Sequence, residues 1–401
     1  MPKSKHPESC PLSRRMARVA PSAIMEILKA VAAADVISFA SGLPDPELYP
    51  TRDLRAITDE ILTTDGRAAL QYGPAEGVPA LREWVAGRLR QRGLDVSPEG
   101  VLITHGSQQA LDLAARAFLD PGDRVLLESP SYLAAIQTFD SYEAEYETLP
   151  VDGDGLGPAD LRDRLRGAAP PKLLFILPNF QNPTGVTLAA DRRQAVAAAA
   201  AAAGVPLLED DAYHDLRYDG EPLPPVAALA RNPWAIYTGT FSKTIVPGIR
   251  VGYAAGNPAV IARLAQLKQI TDLHSSSLGQ RIALRFCQEG HLEPQIARLC
   301  AAYRERRDAM LSALSTHVAG LATWTRPRGG MFLLLTLPDG IDTAPLLPAA
   351  MKAGVAFVPG GTFFPRGGGD HTLRLNFVSA TPAQIETGVR LLAGVIRKAV
   401  G

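Results

Sequence analysis

The chain runs to 401 residues, 20% of them charged, with 41 basic and 41 acidic side chains and therefore no formal net charge. Balanced charge gives no electrostatic case for nucleic acid or an anionic membrane, and the length allows two or three domains with a substantial core. Three cysteines, Cys10, Cys287 and Cys300, fall in no paired spacing, which argues against a disulfide framework or a zinc site, and no metal is expected.

In chain order, the first fifteen residues are polar and basic and lack the apolar core of a signal peptide, so the cytoplasm is the expected location. A helix is expected over 23–33, where apolar residues recur at helical spacing, and it should pack near the cleft. From about Asp53 short apolar runs alternate with helical stretches. Strands are predicted at 101–104, 124–128, 172–177, 205–209 and 235–239, with helices at 109–119 and 191–203, the latter stopped by Gly204. Such alternation predicts an α/β unit with a mostly parallel sheet, which binds ligands at the carboxyl ends of its strands. The apolar run Ala195 to Leu208 is shorter than the roughly 18 residues of a membrane span and is broken by Gly204 and Pro206. After about Gln288 a long charged helix (293–315) leads to strands at 330–337 and 372–377, the pattern of a smaller α+β domain. The division expected is a large domain over 46–290 and a small one built from 1–45 and 291–401.

The residues that can carry chemistry cluster at the predicted strand ends. Lys243 lies in the run Thr240, Phe241, Ser242, Lys243, with Arg250 a short loop away. Such a pair suits a lysine holding an aldehyde cofactor and an arginine gripping its phosphate, though a lone Ser-Lys pair is more commonly a solvated loop. Asp210 closes an apolar strand between two further acids, Glu209 and Asp211, and such a group is costly to bury without partners. A protonated pyridine nitrogen is one partner that fits Asp210; a helix cap or acidic rim is the plain alternative. Asn182 stands on the turn Asn182, Pro183, Thr184, Gly185, from which its amide could reach a phenolate, as could the hydroxyl of Tyr213. Gly106, Ser107 and Gln108 join a strand to a helix start, a natural phosphate cradle, although Ser107 serves equally as a helix cap. Tyr132 follows another strand end, where its ring could lie on a flat cofactor or simply pack in the core. In the strand Leu373, Arg374, Leu375, Asn376, Phe377 alternation puts Arg374 opposite the apolar side chains, free for a substrate carboxylate or a structural salt bridge.

Taken in order, these residues resemble the class I pyridoxal-phosphate aminotransferases of fold type I, and within them the 2-aminoadipate, kynurenine and aromatic aminotransferase branch. The resemblance runs from about Ser22 to the C-terminus. It is carried by SFASGLP (38–44), LQYGPAEG (70–77), GSQQA (106–110), NFQNPTG (179–185), EDDAY (209–213), FSK (241–243), GGMF (329–332) and VPGGTF (358–363). The resemblance implies a large domain with a mostly parallel seven-stranded sheet flanked by helices, plus the smaller α+β domain. It implies that Lys243 anchors pyridoxal 5'-phosphate covalently and moves the substrate proton, that Asp210 pairs with the pyridine nitrogen, and that Tyr132 stacks on the ring. Asn182 and Tyr213 would contact the ring hydroxyl, and Ser107, Gln108, Thr240, Ser242 and Arg250 the phosphate. Arg374, with the backbone near Gly42 and the Asn182 amide, would hold the substrate carboxylate. Tyr72 would reach the phosphate of a neighbouring subunit, so a homodimer is expected. The reaction implied moves an amino group from an L-amino acid, with glutamate the family default, to a 2-oxo acid in a ping-pong cycle.

The chain departs from its resemblance at one position. Related 2-aminoadipate enzymes carry an arginine three residues after the serine matching Ser22, where this chain has Met25. A thioether packs against aliphatic or aromatic groups but cannot replace a guanidinium, so an apolar or aromatic second substrate is expected; the alternative is that Met25 is ordinary helix packing and Arg18 or another basic residue recognises an acidic substrate instead. Decarboxylation, elimination or oxidation on the same scaffold is a rival, against which the Arg374 clamp argues. The effector half of a transcription regulator is another; it would need a DNA-binding domain for which the segment before Ser22 has no room. Biosynthesis and catabolism of the amino acid stay equally open.

Overall fold

A computed structural model describes residues 12–167 and 169–401; Cys10 and the first eleven positions of the small-domain reading lie outside the described residues. The strands are, in chain order, β1 (Ile37–Ser38), β2 (Val101–Thr104), β3 (Arg124–Ser129), β4 (Glu145–Asp152), β5 (Gly155–Leu156), β6 (Leu173–Ile176) and β7 (Leu207–Asp210). They continue with β8 (Ile236–Thr240), β9 (Gly252–Gly256), β10 (Thr323–Trp324), β11 (Phe332–Thr336), β12 (Val355–Ala356), β13 (Val358–Pro359) and β14 (Thr372–Asn376). The helices that shape the site are α1 (Ala23–Ala32), α2 (Thr51–Ala69), α3 (Pro79–Gln91), α4 (Gly106–Phe118) and α5 (Leu133–Asp140).

The large sheet has the order β2-β9-β8-β7-β6-β3-β4-β5. It holds eight strands rather than seven, because the two-residue β5 folds back antiparallel on the end of β4. The central pairs from β8 through β4 are parallel, whereas β9 runs antiparallel to both β8 and β2. That one reversal brings the start of β9 to the carboxyl ends of its neighbours: Gly252 pairs with both Thr104 and Thr240.

Both faces are covered, so the strands read as continuous apolar runs. Leu127, Phe175 and Leu208 pack on one side against α4 and α5, while Leu126, Leu174 and Leu207 pack on the other against the helices Pro158–Leu165 and Ala190–Ala203. The alanine-rich helix ends at Gly204, whose φ of +64° is the left-handed stop expected of glycine.

A second sheet, β10-β11-β14-β13, is antiparallel throughout, and the pair β1-β12 is parallel. Through that pair the N-terminal segment is tied to the C-terminal part of the chain. Phe39 continues the link, donating its N–H to Ala356 and accepting from the N–H of Asn376. Helix α1 buries Ile27 against Ala40, Leu133, Val358 and Phe363, which holds its exposed face at the mouth of the cleft.

Candidate active site

The carboxyl ends of the strands open into a cavity of about 470 Å³. Each sequence-predicted group except Tyr72 lines it: Met25 and Gly42 from the N-terminal segment, Ser107 and Gln108 after β2, and Tyr132 after β3. Asn182 follows β6, Asp210 and Tyr213 come from β7 and the turn beyond, and Thr240, Ser242 and Lys243 follow β8. Arg250 precedes the reversed β9 and Arg374 comes from β14. Parallel strands therefore collect residues distant in sequence at one sheet edge.

One end of the cavity is built for an anion. The first turn of α4 faces it with unsatisfied backbone N–H groups. Close approach is needed here. A Cβ on Gly252 would lie 2.7 Å from the Ser107 nitrogen, and one on Gly106, at φ +70°, would lie 2.6 Å from Arg250 Nη2. The Arg250 guanidinium donates to the His105 carbonyl at 3.1 Å and to Ser242 Oγ at 3.4 Å, while Thr240 Oγ1 donates to Ser242 Oγ at 2.9 Å. His105 occupies the cap position of α4, so Ser107 lies inside the first turn rather than capping it. The Gln108 amide turns away to donate to Thr138 Oγ1 on α5 at 2.7 Å.

In the middle of the cavity sits Asp210. Of the three acids, Glu209 accepts from the N–H groups of Val226 and Ala227, and Asp211 from Asn179, His214 and the Tyr237 hydroxyl. Asp210 receives one hydrogen bond among the described residues, from Thr238 Oγ1 at 3.0 Å. Burial, aided by the charge of Asp211, therefore pushes its carboxyl up to about 7, although Thr238 and Lys243 favour the anion. The site thus holds a buried carboxylate with one oxygen left for a cation. Sequence reasoning passed over Thr238, yet it shares a strand face with Thr240 at the two-residue spacing of β8.

Lys243 Nζ donates to the Gly42 carbonyl at 3.1 Å and lies 5.9 Å from the Tyr213 ring centroid. Burial, then the charges of Arg374 and Arg250, push its amine down to about 8. Desolvation likewise raises Tyr132 to about 12 and Tyr213 further, so both hold their protons.

Arg374 is buried with no carboxylate partner among the described residues. Its guanidinium lies 4.3 Å from the Phe332 ring centroid and 5.3 Å from that of Phe363, and it donates to Asn182 Oδ1 at 3.0 Å and to the Ala40 carbonyl at 2.9 Å. Its Nε–H is buried without a partner among the described residues, and burial lowers its proton affinity to about 10. Of the two sequence readings of Arg374, the structural salt bridge is therefore not formed. Apolar side chains complete the mouth: Ile24, Met25, Leu28, Leu43 and Leu133. Apart from Met25 they escaped sequence reasoning, because only the packing of α1 over the cleft selects them. Tyr72 stands outside this cavity, 77% exposed and edge-on to His274 at 5.6 Å.

The sequence matches the family "Aminotransferase class I and II" over residues 34–392. It is 40% identical over 382 residues to an aromatic-amino-acid aminotransferase of Thermococcus litoralis, covering 94% of this chain and 92% of the relative. The fold superposes with a TM-score of 0.92 on the kynurenine aminotransferase of Pyrococcus horikoshii, solved with PMP and kynurenine, at 40% identity over 96% of this chain and 97% of the other. It superposes with a TM-score of 0.91 on the α-aminoadipate aminotransferase of Thermus thermophilus, complexed with N-(5'-phosphopyridoxyl)-L-leucine, at 39% identity over 97% of each chain. On these matches the chain belongs to the class I and II aminotransferases, pyridoxal-phosphate-dependent enzymes that move amino groups between amino acids and 2-oxo acids.

Proposed function

We propose that the cavity assigns its residues to that reaction as follows, with an apolar or aromatic amino acid as the substrate side of the exchange. The first turn of α4, Ser107, Thr240, Ser242 and Arg250 bind the cofactor phosphate. Asp210 pairs with the ring nitrogen, Tyr132 covers the ring, and Asn182 and Tyr213 hold the ring oxygen. When bound, pyridoxal phosphate supplies a carbonyl for amines and an electron-withdrawing ring. Lys243 Nζ would anchor it and, displaced by the incoming amine, would serve as the base that takes the proton from the substrate Cα. The depressed proton affinity of Lys243 raises the share of its neutral amine near neutral pH above that of an ordinary lysine, and the neutral amine is the form a base requires. Arg374, whose guanidinium lies over the rings of Phe332 and Phe363, grips the substrate carboxylate. Keeping that carboxylate gripped favours transamination over its loss.

The observation that carries the side-chain reading is the mouth. Its apolar lining is Ile24, Met25, Leu28, Leu43 and Leu133, beside the uncharged Ser22 and Gln137, and the charged residues of the cavity, Asp210, Lys243, Arg250 and Arg374, are all engaged in the roles above. No cation among the described lining residues is left for an acidic substrate side chain. Met25→Arg supplies one. In that variant kcat/KM for 2-aminoadipate should rise against that for phenylalanine by at least tenfold; an unchanged ratio would refute the assignment.

The same reading takes 46–290 as the cofactor-binding domain and 1–45 with 291–401 as the smaller one, supported by the separation of the sheets. It also takes the enzyme as a homodimer. Leu70, Tyr72, Ile270 and Leu273 are each at least 55% exposed, an apolar face that a second copy would cover while bringing Tyr72 to the neighbouring phosphate.

A further inference from the structure

Away from this site a larger hollow of about 700 Å³ opens between the two main sheets. The turn after β6, the stretch 217–223 and residues 324–328 wall it. Three arginines line it, Arg217, Arg326 and Arg328, and none is paired with a carboxylate among the described residues. Elsewhere arginines in similar settings are matched: Arg88 and Arg92 share Asp215, Arg192 meets Asp152, and Arg306 meets Asp45. The acids on the wall, Asp154 and Glu221, are exposed and form no ion pair with the three guanidiniums among the described residues. Lining side chains also carry unused buried donors: Trp324 Nε1, Thr187 Oγ1 and Arg217 Nε.

Arg217 faces two ways. Its guanidinium lies 4.8 Å from the Phe180 ring centroid and donates to Asn179 Oδ1 at 3.1 Å. Asn179 in turn donates to Asp211 Oδ1 at 2.8 Å, and Asp211 is the chain neighbour of Asp210 and one of the charges that raise its proton affinity. Burial, then Arg193, disfavour the charge on Arg217, as does Arg328, while Asp211 favours it. An anion in the hollow would relieve that crowding.

We propose that this hollow is an effector site for a small anion bearing two or more carboxylate or phosphate groups, whose occupancy is felt at Asp210 through Arg217, Asn179 and Asp211. Forked guanidiniums suit both groups by bidentate contact. The flat Trp324 ring, with Arg326 stacked 5.9 Å from its centroid, fits the carbon skeleton between them. Added negative charge on the Arg217 side favours protonated forms in the catalytic cavity. The pH midpoint of the visible absorption of the bound cofactor should therefore move upward when the hollow fills.

Calorimetric titration of the holoenzyme with citrate and, separately, with pyrophosphate tests this, the pair distinguishing carboxylate from phosphate chemistry. At least one should saturate at one site per chain and raise the absorption midpoint. In the double variant R326A/R328A, whose altered side chains are exposed and outside the catalytic cavity, binding should weaken at least tenfold and the spectral shift should vanish. An unchanged visible spectrum without anion would show that this variant folds and holds its cofactor. Three results would overturn the proposal: no saturable binding of either anion, equal binding by wild type and variant, or saturation without a spectral shift.

Discussion

Replacing Asp210 by asparagine tests what the site stores before any ligand arrives. Asp210 is buried, keeps one hydrogen bond from Thr238 and has its carboxyl raised to about 7 from the ordinary 3.8. Roughly three units at 1.36 kcal/mol each give about 4 kcal/mol as the cost of holding this carboxylate charged without a cation. The sign follows from linkage. Between the unfolded and folded values the native state binds the extra proton, so this contribution to stability is full below about pH 4 and lost as pH rises to about 7. Asparagine keeps the Thr238 contact without the charge. Cofactor-free Asp210→Asn should therefore be more stable than cofactor-free wild type above pH 7, and the difference should shrink towards pH 4. With pyridoxal phosphate bound the order should reverse, because the ring cation loses its partner. Denaturation of both proteins, with and without cofactor, across pH 4–8 measures each term. A flat pH dependence of the difference in the cofactor-free pair, or a cofactor that stabilises both proteins equally, would refute the reasoning.

Two further substitutions probe the cradle. Gly106→Ala places a methyl 2.6 Å from Arg250 Nη2 at φ +70°, where an L side chain costs about 1–2 kcal/mol. Cofactor affinity measured by equilibrium dialysis should fall about tenfold or more, at about 1.4 kcal/mol per decade; unchanged affinity would refute the close-approach argument. Tyr72→Phe removes a hydroxyl expected at the partner's phosphate, a hydrogen bond to a charged group worth about 1.5–3 kcal/mol. Cofactor affinity should drop by about tenfold to a hundredfold while light scattering still reports a dimer. A monomer in wild type, or unaltered affinity in the variant, would contradict the shared site.

The strand ends were legible because an apolar run followed by glycine or polar residues marks both a buried strand and the ligand-facing edge beyond it. Asp210, Asn182 and Lys243 were found that way, and Arg374 by the two-residue alternation of its strand. Strand β9, Gly-Tyr-Ala-Ala-Gly, was not predicted, since glycine and alanine carry little strand signal and its role is to let α4 approach. Strand β4 was also missed: it lies near the sheet edge and is largely half-exposed and polar. The apolar mouth and the unpaired state of Arg374 depend on contacts between segments hundreds of residues apart, such as Arg374 with Ala40, and no local pattern encodes them.

On the reading proposed above, the amine of an amino acid whose side chain meets an apolar mouth displaces Lys243 Nζ from the carbonyl carbon of bound pyridoxal phosphate. Mixing the holoenzyme with single amino acids and following the visible absorption of the bound cofactor measures that half-reaction directly. Phenylalanine, tyrosine and leucine should bleach the absorption with stoichiometric release of the 2-oxo acid, 2-aminoadipate should do so more slowly, and Lys243→Ala should not turn over. Wild-type enzyme that no amino acid bleaches, or a Lys243→Ala variant that releases 2-oxo acid at the wild-type rate, would contradict the account.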